Sequence, residues 1–312
     1  MPVEMVPIAK TALIVGCGYV GRVLAAKLVA RGVRVLGTTR SADKALELAA
    51  LGVQPLLAAV TQRLTLVAAL KPALEAEALD VYYLVPPGGP PRNEGDPSPR
   101  NIAVDGARQV LSLLPPARVR RLVMTSSTGI YSQHAGEWVS ADTEPLPDSE
   151  RGNLLLDAEN VWLDSTLDAR VVRLAGIYGP DRIIGLQAVR QNAALVGDPD
   201  AWLNLIHVDD AAELLLAVMS AKSPGRIELG SDGTPVQRIE YYNHLAKRVG
   251  APAVRVLDDF AAATQLGLNR ERLQRAGSKR CDNVITCRRT GWLPRYPSYR
   301  DGLNVIAAGM KE

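Results

Sequence analysis

The sequence predicts an α/β protein in which a doubly wound parallel sheet is accompanied by a smaller C-terminal α/β lobe. Three observations lead to this prediction. Short apolar, β-branched runs alternate with stretches of helical spacing over roughly 170 residues, a pattern typical of a parallel sheet covered by helices on both faces. A glycine-rich turn follows the first of these runs. Beyond Gly179-Pro180 the alternation loosens, which indicates a separate lobe.

The first strand is predicted at 11–15, an apolar run that ends at Gly16. A helix is predicted at 21–30, because apolar residues recur at helical spacing and Gly32 provides a C-terminal stop. A long Pro/Gly-rich loop is predicted at 86–99. The alternation continues with strands at 33–37, 53–57, 80–85, 121–126 and 169–174, and with helices at 42–50, 64–79, 101–114 and 151–167.

The second half of the chain predicts a helix at 206–219, a strand at 226–230 and a helix at 236–249. These elements suggest that the chain returns to the large sheet before it completes the smaller lobe. We therefore expect a sheet domain at 10–180 with a returning segment at about 203–232, and a substrate-side lobe formed by 181–202 and 233–312.

The composition limits the partners that we expect. The chain has 312 residues, of which 47% are hydrophobic and 22% charged, and a formal net charge of only +3. It has no long basic run, and the small basic clusters at 118–121 and 279–280 are interpreted as solvated faces or anion contacts. No stretch of ~18 apolar residues occurs. We expect a small-molecule substrate, no nucleic acid and no membrane, and the oligomeric state is left open, a homodimer included.

The N-terminus and the cysteines favour a cytoplasmic protein. The segment after Met1 lacks a basic stretch followed by an apolar core, so no secretory signal is expected. The chain has three cysteines, an odd number at unrelated positions, which argues against a disulfide framework and for a reducing compartment. Cys281 and Cys287 have no histidine near them, and this spacing does not suit zinc, so no metal site is predicted.

The turn after the first predicted strand has the pattern Gly-x-Gly-x-x-Gly. It consists of Gly16, Cys17, Gly18, Tyr19, Val20 and Gly21. Gly16 permits a tight turn, Gly18 lets the backbone approach a pyrophosphate, and Gly21 allows the helix to pack closely on the strand. Free N–H groups at the helix N-terminus then favour phosphate. The turn predicts a Rossmann-type domain that binds a nicotinamide dinucleotide. The later strand ends are expected to line the same cofactor at Val85, Pro86 and Ser126.

The end of the second predicted strand indicates which dinucleotide is bound. Sites for NAD(H) usually place Asp or Glu there, where it holds the ribose 2′-hydroxyl. This chain has Thr38, Thr39, Arg40 and Ser41 and no acid before Asp43. An arginine flanked by hydroxyls would attract a 2′-phosphate, so NADP(H) is the predicted cofactor and NAD(H) the alternative. The same arginine disfavours a methyltransferase with a similar glycine loop, since such enzymes usually hold the ribose with an acid.

Five segments resemble the extended short-chain dehydrogenase/reductase superfamily, the group of NAD-dependent epimerases and dehydratases. They are SSTGIY at 126–131, EPLP at 144–147, RLAGIYGP at 173–180, NLIHVDD at 204–210 and GWLP at 291–294. Each segment is only moderately specific, but their order matches the family across nearly the whole chain. The resemblance implies a substrate at the carboxyl ends of the strands, and it allows Lys279 and Arg280 to contact an anionic substrate such as a nucleotide diphosphate, with surface solvation as the alternative. It makes Ser127, Tyr131 and Tyr178 the candidate catalytic residues, Ser127 as a group that orients the substrate and the two tyrosines as proton donors.

One feature departs from the family. The resemblance implies a catalytic Tyr-x-x-x-Lys followed by a Glu four residues after the Lys, and Glu159 matches that Glu. The Tyr and Lys positions then fall on Arg151 and Leu155. Arg does not lose a proton at useful pH and Leu carries no charge, so neither can replace the missing group. The chain is similar to atypical extended members that lack the tyrosine.

These observations lead to two functional hypotheses. The first is an NADP(H)-dependent oxidoreductase or epimerase/dehydratase-like enzyme that acts on a small polar substrate, with a nucleotide sugar among the candidates. The second is a catalytically silent NADP(H)-binding protein that senses redox state or regulates a partner, which the missing Tyr and Lys favour. The sequence leaves the choice between them open.

Overall fold

A computed structural model of the chain describes residues 3–89, 91, 93–257 and 277–308. Its centre is a seven-stranded sheet in which every pair of neighbouring strands is parallel. The strands are β1 (Thr11–Val15), β2 (Arg34–Thr39), β3 (Gln54–Leu57), β4 (Leu79–Tyr83), β5 (Val119–Ser127), β7 (Ala169–Leu174) and β12 (Ile227–Gly230). Their order across the sheet is β3-β2-β1-β4-β5-β7-β12. The predicted α/β class with a parallel Rossmann-type sheet is confirmed.

Helices cover both faces of this sheet and build the C-terminal lobe. They are α1 (Tyr19–Ala30), α2 (Ala42–Ala50), α3 (Arg63–Leu74), α4 (Gly106–Leu111), α5 (Glu150–Leu163), α6 (Leu186–Arg190), α7 (Val208–Ser220), α8 (Arg238–Arg248), α9 (Val284–Thr290) and α10 (Tyr299–Ala308). None of the helices in the described part of the chain is long and apolar enough to cross a membrane.

Four short strand pairs connect the segments outside the central sheet. Their members are β6 (Glu137–Val139), β8 (Gly176–Tyr178), β9 (Leu195–Val196), β10 (Trp202–Leu203), β11 (Leu205–His207), β13 (Val236–Gln237), β14 (Val256–Leu257) and β15 (Lys279–Cys281). β6 pairs with β15 and β8 pairs with β11, both in parallel. The β6–β15 pair brings a late part of the chain against the loop that follows β5.

Three predicted helices differ from the observed elements. The helix predicted at 64–79 ends at Leu74, two residues after Pro72, which cannot donate the N–H that a helix interior needs. The helix predicted at 101–114 begins instead with a π-helical turn at Asn101–Asp105. The helix predicted at 206–219 begins at Val208, after β11. Its start is fixed by His207, whose side chain accepts a hydrogen bond from the backbone N–H of Asp209 and so caps α7.

Two apolar clusters lie on opposite faces of the sheet, as a doubly wound fold requires. One packs α1 and α7 against the sheet around Leu24, Leu28 and Leu215. The other packs α3, α4 and α5 against it around Leu70 and Trp162. A third cluster fills the C-terminal lobe between α8 and α10. α7 packs on the same face as α1, and β12 extends the central sheet beside β7.

Charges at the amino ends of the central strands are paired inside the protein. Arg120 at the start of β5 donates two hydrogen bonds of 2.7 and 2.8 Å to the buried carboxylate of Asp80. The guanidinium of Arg121 donates to the carbonyls of Val218, Met219 and Ala221 at the C-terminus of α7, where a cation is favoured. The interpretation of this basic cluster as a solvated face is therefore wrong for Arg121, which is only 5% exposed.

Candidate functional site

The glycine turn lies at the carboxyl end of β1, beside β4. Gly16 has a φ of +87°, a left-handed conformation that favours glycine. Its N–H donates a 2.7 Å hydrogen bond to the side-chain oxygen of Thr38, at the end of β2. A Cβ at Gly16 would stand 3.0 Å from the backbone nitrogen of Val85, so no side chain fits there. This turn therefore joins the ends of β1, β2 and β4 at one point.

The other two glycines have different surroundings. A Cβ at Gly21 would stand 3.2 Å from the carbonyl oxygen of Gly16, so this position is closed by the contact of α1 with the turn. A Cβ at Gly18 would meet nothing closer than 4.0 Å, so the space beside this residue is open. The first N–H groups of α1, from Tyr19, Val20 and Gly21, have no acceptor within the helix. Open space in front of free N–H groups is the geometry that a pyrophosphate requires.

The two side chains inside the glycine turn point to different places. Cys17 is buried against Gly37 of β2, and burial raises the pKa of its thiol to about 12, which keeps it neutral. Tyr19 reaches across the site and donates a 2.8 Å hydrogen bond to the carbonyl of Pro180. Burial raises the pKa of this phenol to about 12, against the opposing effect of Arg182. Tyr19 therefore links the glycine turn to the loop that follows β8.

The end of β2 presents hydroxyls and one free cation. Thr38 is buried and accepts the Gly16 hydrogen bond, while Thr39 accepts a 3.3 Å hydrogen bond from the N–H of Ser41. Arg40 is exposed, and within the described ranges it has neither an ion pair nor a hydrogen bond. The contact made by Thr38 escaped the sequence analysis, although its position just before the predicted cofactor contacts was a usable signal.

The ends of β4 and β5 complete the floor of the site. Val85 is half-buried beside Gly16, and Pro86 is exposed. The side-chain oxygen of Ser126 is buried and has no hydrogen-bond partner among the described residues. Buried hydroxyls are almost always paired with protein or water, so an orphan at this edge fits a bound polar molecule. The structure thus brings the predicted cofactor contacts to a single edge of the sheet.

Ser127 ends β5 and begins a tight turn. It is half-buried, and its Oγ accepts a 3.1 Å hydrogen bond from the N–H of Gly129. Accepting this bond leaves the hydroxyl hydrogen available as a donor. The chain then continues through a 3-10 turn at Thr128–Ile130, which packs against the start of α5 at Gly152. Ser127 is therefore positioned by local backbone geometry and keeps a donor for a substrate.

Tyr131 and Tyr178 are both buried, and both phenols already have protein partners. The Tyr131 hydroxyl donates to the carbonyl of Ser140 at 2.9 Å and accepts from the guanidinium of Arg173 at 2.9 Å. Burial raises the pKa of both phenols. The Tyr178 hydroxyl lies 3.5 Å from the carbonyl of Ser298, in the core of the C-terminal lobe. This geometry gives no support to either tyrosine as the proton donor.

The structure also locates the two positions where the family pattern is broken. Arg151 and Leu155 lie one turn apart on α5, at the end of the helix that contacts the turn after Ser127. Leu155 is buried, whereas Arg151 is exposed and donates a 3.2 Å hydrogen bond to the carbonyl of Gly88 in the loop after β4. Glu159 is fully buried in an ion pair with Arg173, at 2.7 Å. α5 therefore has the position that the family pattern predicts but lacks the Tyr and Lys of that pattern.

Lys279 is close to this site, and of the two interpretations given to the 279–280 cluster, a solvated face or an anion contact, its surroundings exclude the first. It lies on β15 and is only 9% exposed, so the interpretation of this lysine as a solvated surface residue is wrong. Its Nζ donates a 3.0 Å hydrogen bond to the carbonyl of Tyr131, at the end of the turn that follows Ser127. Its strand neighbour Cys281 faces the same way and is buried. The sequence offered one signal, since a cysteine two residues along a strand usually marks the buried face.

Comparison with known proteins agrees with this geometry. The chain is 27% identical over 300 residues to a 3-diazoavenalumate denitrifying reductase from Streptomyces sp., covering 92% of this chain and 96% of the relative. It is 26% identical over 245 residues to Protein YeeZ of Escherichia coli (strain K12), covering 77% of this chain and 84% of the relative.

Solved structures and a family model extend the comparison. A conserved protein of unknown function from Silicibacter pomeroyi DSS is 28% identical with a TM-score of 0.76, covering 96% of this chain and 98% of that chain. The Bordetella bronchiseptica enzyme WbmG, solved with NAD, shares the fold at 18% identity and a TM-score of 0.76, covering 99% and 94% of the two chains. The model of the NAD dependent epimerase/dehydratase family matches residues 12–230. This chain therefore belongs to the NAD-dependent epimerase/dehydratase family.

Proposed function

We propose that this protein is an NADP(H)-dependent oxidoreductase that acts on a small polar substrate at the carboxyl edge of the central sheet. The observation that carries the proposal is the end of β2, where Arg40 is exposed without a partner in the described part of the chain and no acid precedes Asp43. A free guanidinium suits the 2′-phosphate that distinguishes NADP(H) from NAD(H). The open space at Gly18 and the unpaired hydroxyl of Ser126 support a dinucleotide in the same site.

The residues of the site divide the work in a simple way. The N–H groups at the start of α1 would hold the pyrophosphate, Arg40 the 2′-phosphate, and the strand ends at Val85 and Ser126 the nicotinamide half. NADPH, when bound, supplies a hydride. Ser127 is the nearby hydroxyl that keeps a donor, and it would orient a carbonyl or similar acceptor. Two relatives are named as reductases, a denitrifying reductase and a ketoreductase, which favours the reductive direction.

The cofactor half of the proposal is tested by titrating NADPH and NADH into the wild-type protein, Arg40→Ala and Arg34→Ala. Arg34 lies at the opposite end of β2, exposed and hydrogen-bonded to Gln54, and is therefore a matched control. We expect NADPH to bind at least about tenfold more tightly than NADH. Arg40→Ala should remove most of this difference, and Arg34→Ala should leave it unchanged. Tighter binding of NADH to the wild type would contradict the assignment.

A second candidate function follows from the positions of Arg151 and Leu155. Because the helix that carries the family's catalytic pair is in place without that pair, a silent NADP(H)-binding sensor is the alternative. A turnover screen separates the two, with NADPH oxidation measured on carbonyl compounds and nucleotide sugars. Turnover that falls in Ser127→Ala supports the enzyme. Tight NADPH binding without turnover on any substrate supports the sensor.

A further inference from the structure

Lys279 is a buried lysine that has no acidic partner in the part of the chain that the structure describes. Within the described residues its Nζ makes one hydrogen bond, to the carbonyl of Tyr131, and no carboxylate oxygen lies within 4.0 Å. Lysine is almost never buried unless it is paired, because removing an ammonium ion from water costs several kcal/mol. One carbonyl satisfies one of its three N–H donors. The two remaining donors require an acceptor that the described protein does not supply.

The groups around Lys279 do not neutralise it. Cys281 shares its strand face, but burial raises the pKa of that thiol to about 12, so the thiol stays neutral. Asp148 is exposed and its carboxylate is held at 2.7 Å by the imidazole of His134. Burial lowers the pKa of Lys279, and the neighbouring Cys281 and the charge of Asp148 only partly oppose this effect. Among the described residues the ammonium therefore has no counter-ion.

The position of Lys279 connects it to the proposed active site. Its hydrogen-bond acceptor is the carbonyl of Tyr131, which directly follows the 3-10 turn at Thr128–Ile130. Ser127 directly precedes the same turn. This three-residue turn is about 6 Å long at 2.0 Å per residue. The same turn contacts α5 at Gly152, next to the exposed Arg151, which has no ion pair among the described residues. The ammonium of Lys279 and the N-terminus of α5 therefore both lie beside the turn that follows Ser127.

We propose that Lys279 binds an oxyanion of the substrate, a carboxylate or a phosphate group, and holds that substrate beside Ser127. This inference rests on the proposed function, since it assigns a substrate class to the same site. A lysine ammonium is a point charge with three rotatable donors, and it accepts either anion. The lysine that the family pattern places on α5 lies on a different element, so Lys279 gives this chain a contact of its own with the substrate.

The test uses the protein loaded with NADPH, titrated separately with benzoate and with inorganic phosphate in a calorimeter. Wild type is compared with Lys279→Met, Lys279→Arg and a charge-matched control, Lys247→Met, which removes an exposed lysine on α8. We expect saturable binding of one anion, at least about tenfold weaker in Lys279→Met and unchanged in Lys247→Met. Lys279→Arg should retain part of the affinity. Binding of benzoate alone assigns a carboxylate, and binding of phosphate alone assigns a phosphate.

Two results would overturn the proposal: neither anion saturates the wild type, or Lys279→Met binds the anion as the wild type does. NADPH affinity is measured in the same variants and should stay within about twofold of wild type, so loss of the anion subsite is distinguishable from failure of the cofactor assignment. If Lys279→Met does not fold, acylation of the wild-type amine is followed by mass spectrometry. The anion should then protect Lys279, and equal acylation with and without anion refutes the proposal.

Discussion

The cations of β5 at the amino end of the central sheet are bound by protein groups, whereas several cations at the carboxyl end have no ion pair among the described residues, although Arg173 there is paired with Glu159. At the amino end, Arg120 is bound by Asp80, and Arg121 donates to the carbonyls that terminate α7. At the carboxyl end, Arg40 and Arg151 have no ion pair among the described residues, and Lys279 is buried with a single carbonyl acceptor. β5 spans both ends, with Arg120 and Arg121 at its start and Ser126 and Ser127 at its finish.

We expect this contrast to separate charges that stabilise the fold from charges that are free to bind a ligand. A cation whose donors are all accepted by protein has a structural role, and its removal should cost folding free energy. A cation left without a partner at the carboxyl edge adds little to the fold, and its removal should cost ligand affinity. The same distinction applies to the polar groups of this edge, where the hydroxyl of Ser126 and one oxygen of Asp232 also lack partners in the described structure.

Among single substitutions, the largest effect on stability is expected at the amino end. Asp80→Asn removes a carboxylate that is 1% exposed and that accepts from both Arg120 and the N–H of Ala9. Because Arg120 is left without its counter-ion and the Asn amide offers a single acceptor oxygen to donors that now share two, urea unfolding should show a loss of about 3 kcal/mol. NADPH affinity should not change. Arg22→Ala, which breaks an exposed ion pair with Glu47, should cost less than about 1 kcal/mol. Equal losses of unfolding free energy in Asp80→Asn and Arg22→Ala would contradict a structural role for the buried ion pair of Asp80.

The next effect is a pH dependence at the carboxyl end. Asp232 follows β12, and burial raises its pKa from 3.8 to about 8, with Asp210 and Asp301 adding to the rise and the N–H of Thr234 opposing it. Between these values the folded protein binds a proton that the unfolded chain does not. The stabilisation that comes from this protonation of Asp232 is therefore fully present below the pKa of the unfolded chain, 3.8. It is lost as pH rises through the pKa of the folded protein, about 8, with a slope that approaches about 1.4 kcal/mol per pH unit.

This pH dependence is measured by urea unfolding of the wild type and Asp232→Asn from pH 5 to pH 8. The variant should have a flatter dependence, because the neutral amide does not titrate. Asp164→Asn, which changes an exposed carboxyl at the end of α5, is the control and should follow the wild type. Parallel curves for wild type and Asp232→Asn would show that the buried carboxyl does not retain its proton.

The smallest expected effect is a change in NADPH affinity at Gly18, compared with its neighbour in the same turn, Gly16. Gly18→Ala should cost less unfolding free energy than Gly16→Ala, because Gly18 has a φ of −90° and its new Cβ meets nothing closer than 4.0 Å. The same Cβ occupies the space assigned to the pyrophosphate, so the Kd for NADPH should rise at least about tenfold. Gly16→Ala should lose stability as well, since its φ is +87°. Unchanged NADPH binding in Gly18→Ala would contradict the site.

Features with a local cause were predictable from the sequence. The alternation of apolar runs with helical spacing led to the parallel sheet, and the spacing of Gly16, Gly18 and Gly21 located the turn at its edge. The closed surroundings of Gly16 and the open ones of Gly18 match the roles that the motif gives these residues. Whether the named side chains contact NADP(H) stays a prediction.

Features that depend on distant pairing were not predictable. Arg121 meets carbonyls about 100 residues away, and nothing in its neighbours distinguishes it from a surface arginine. Lys279 and Arg280 are adjacent basic residues, yet β15 turns the first towards the core and leaves the second half-exposed. Tyr131 and Tyr178 followed strands as substrate-binding tyrosines do, but partners far along the chain occupy their hydroxyls. Only the tertiary structure decides which polar groups are left unpaired.

The pairing of β6 with β15 has a consequence for how the protein is made. Lys279 follows Tyr131 by 148 residues, so at synthesis rates of 5–20 residues per second the ammonium reaches its carbonyl roughly 7 to 30 s after that carbonyl has left the ribosome. During this interval the nascent chain can form the glycine turn although Lys279 has not yet been synthesised. A translation product that stops short of β15 would carry the glycine turn without Lys279, the residue that we propose binds the substrate.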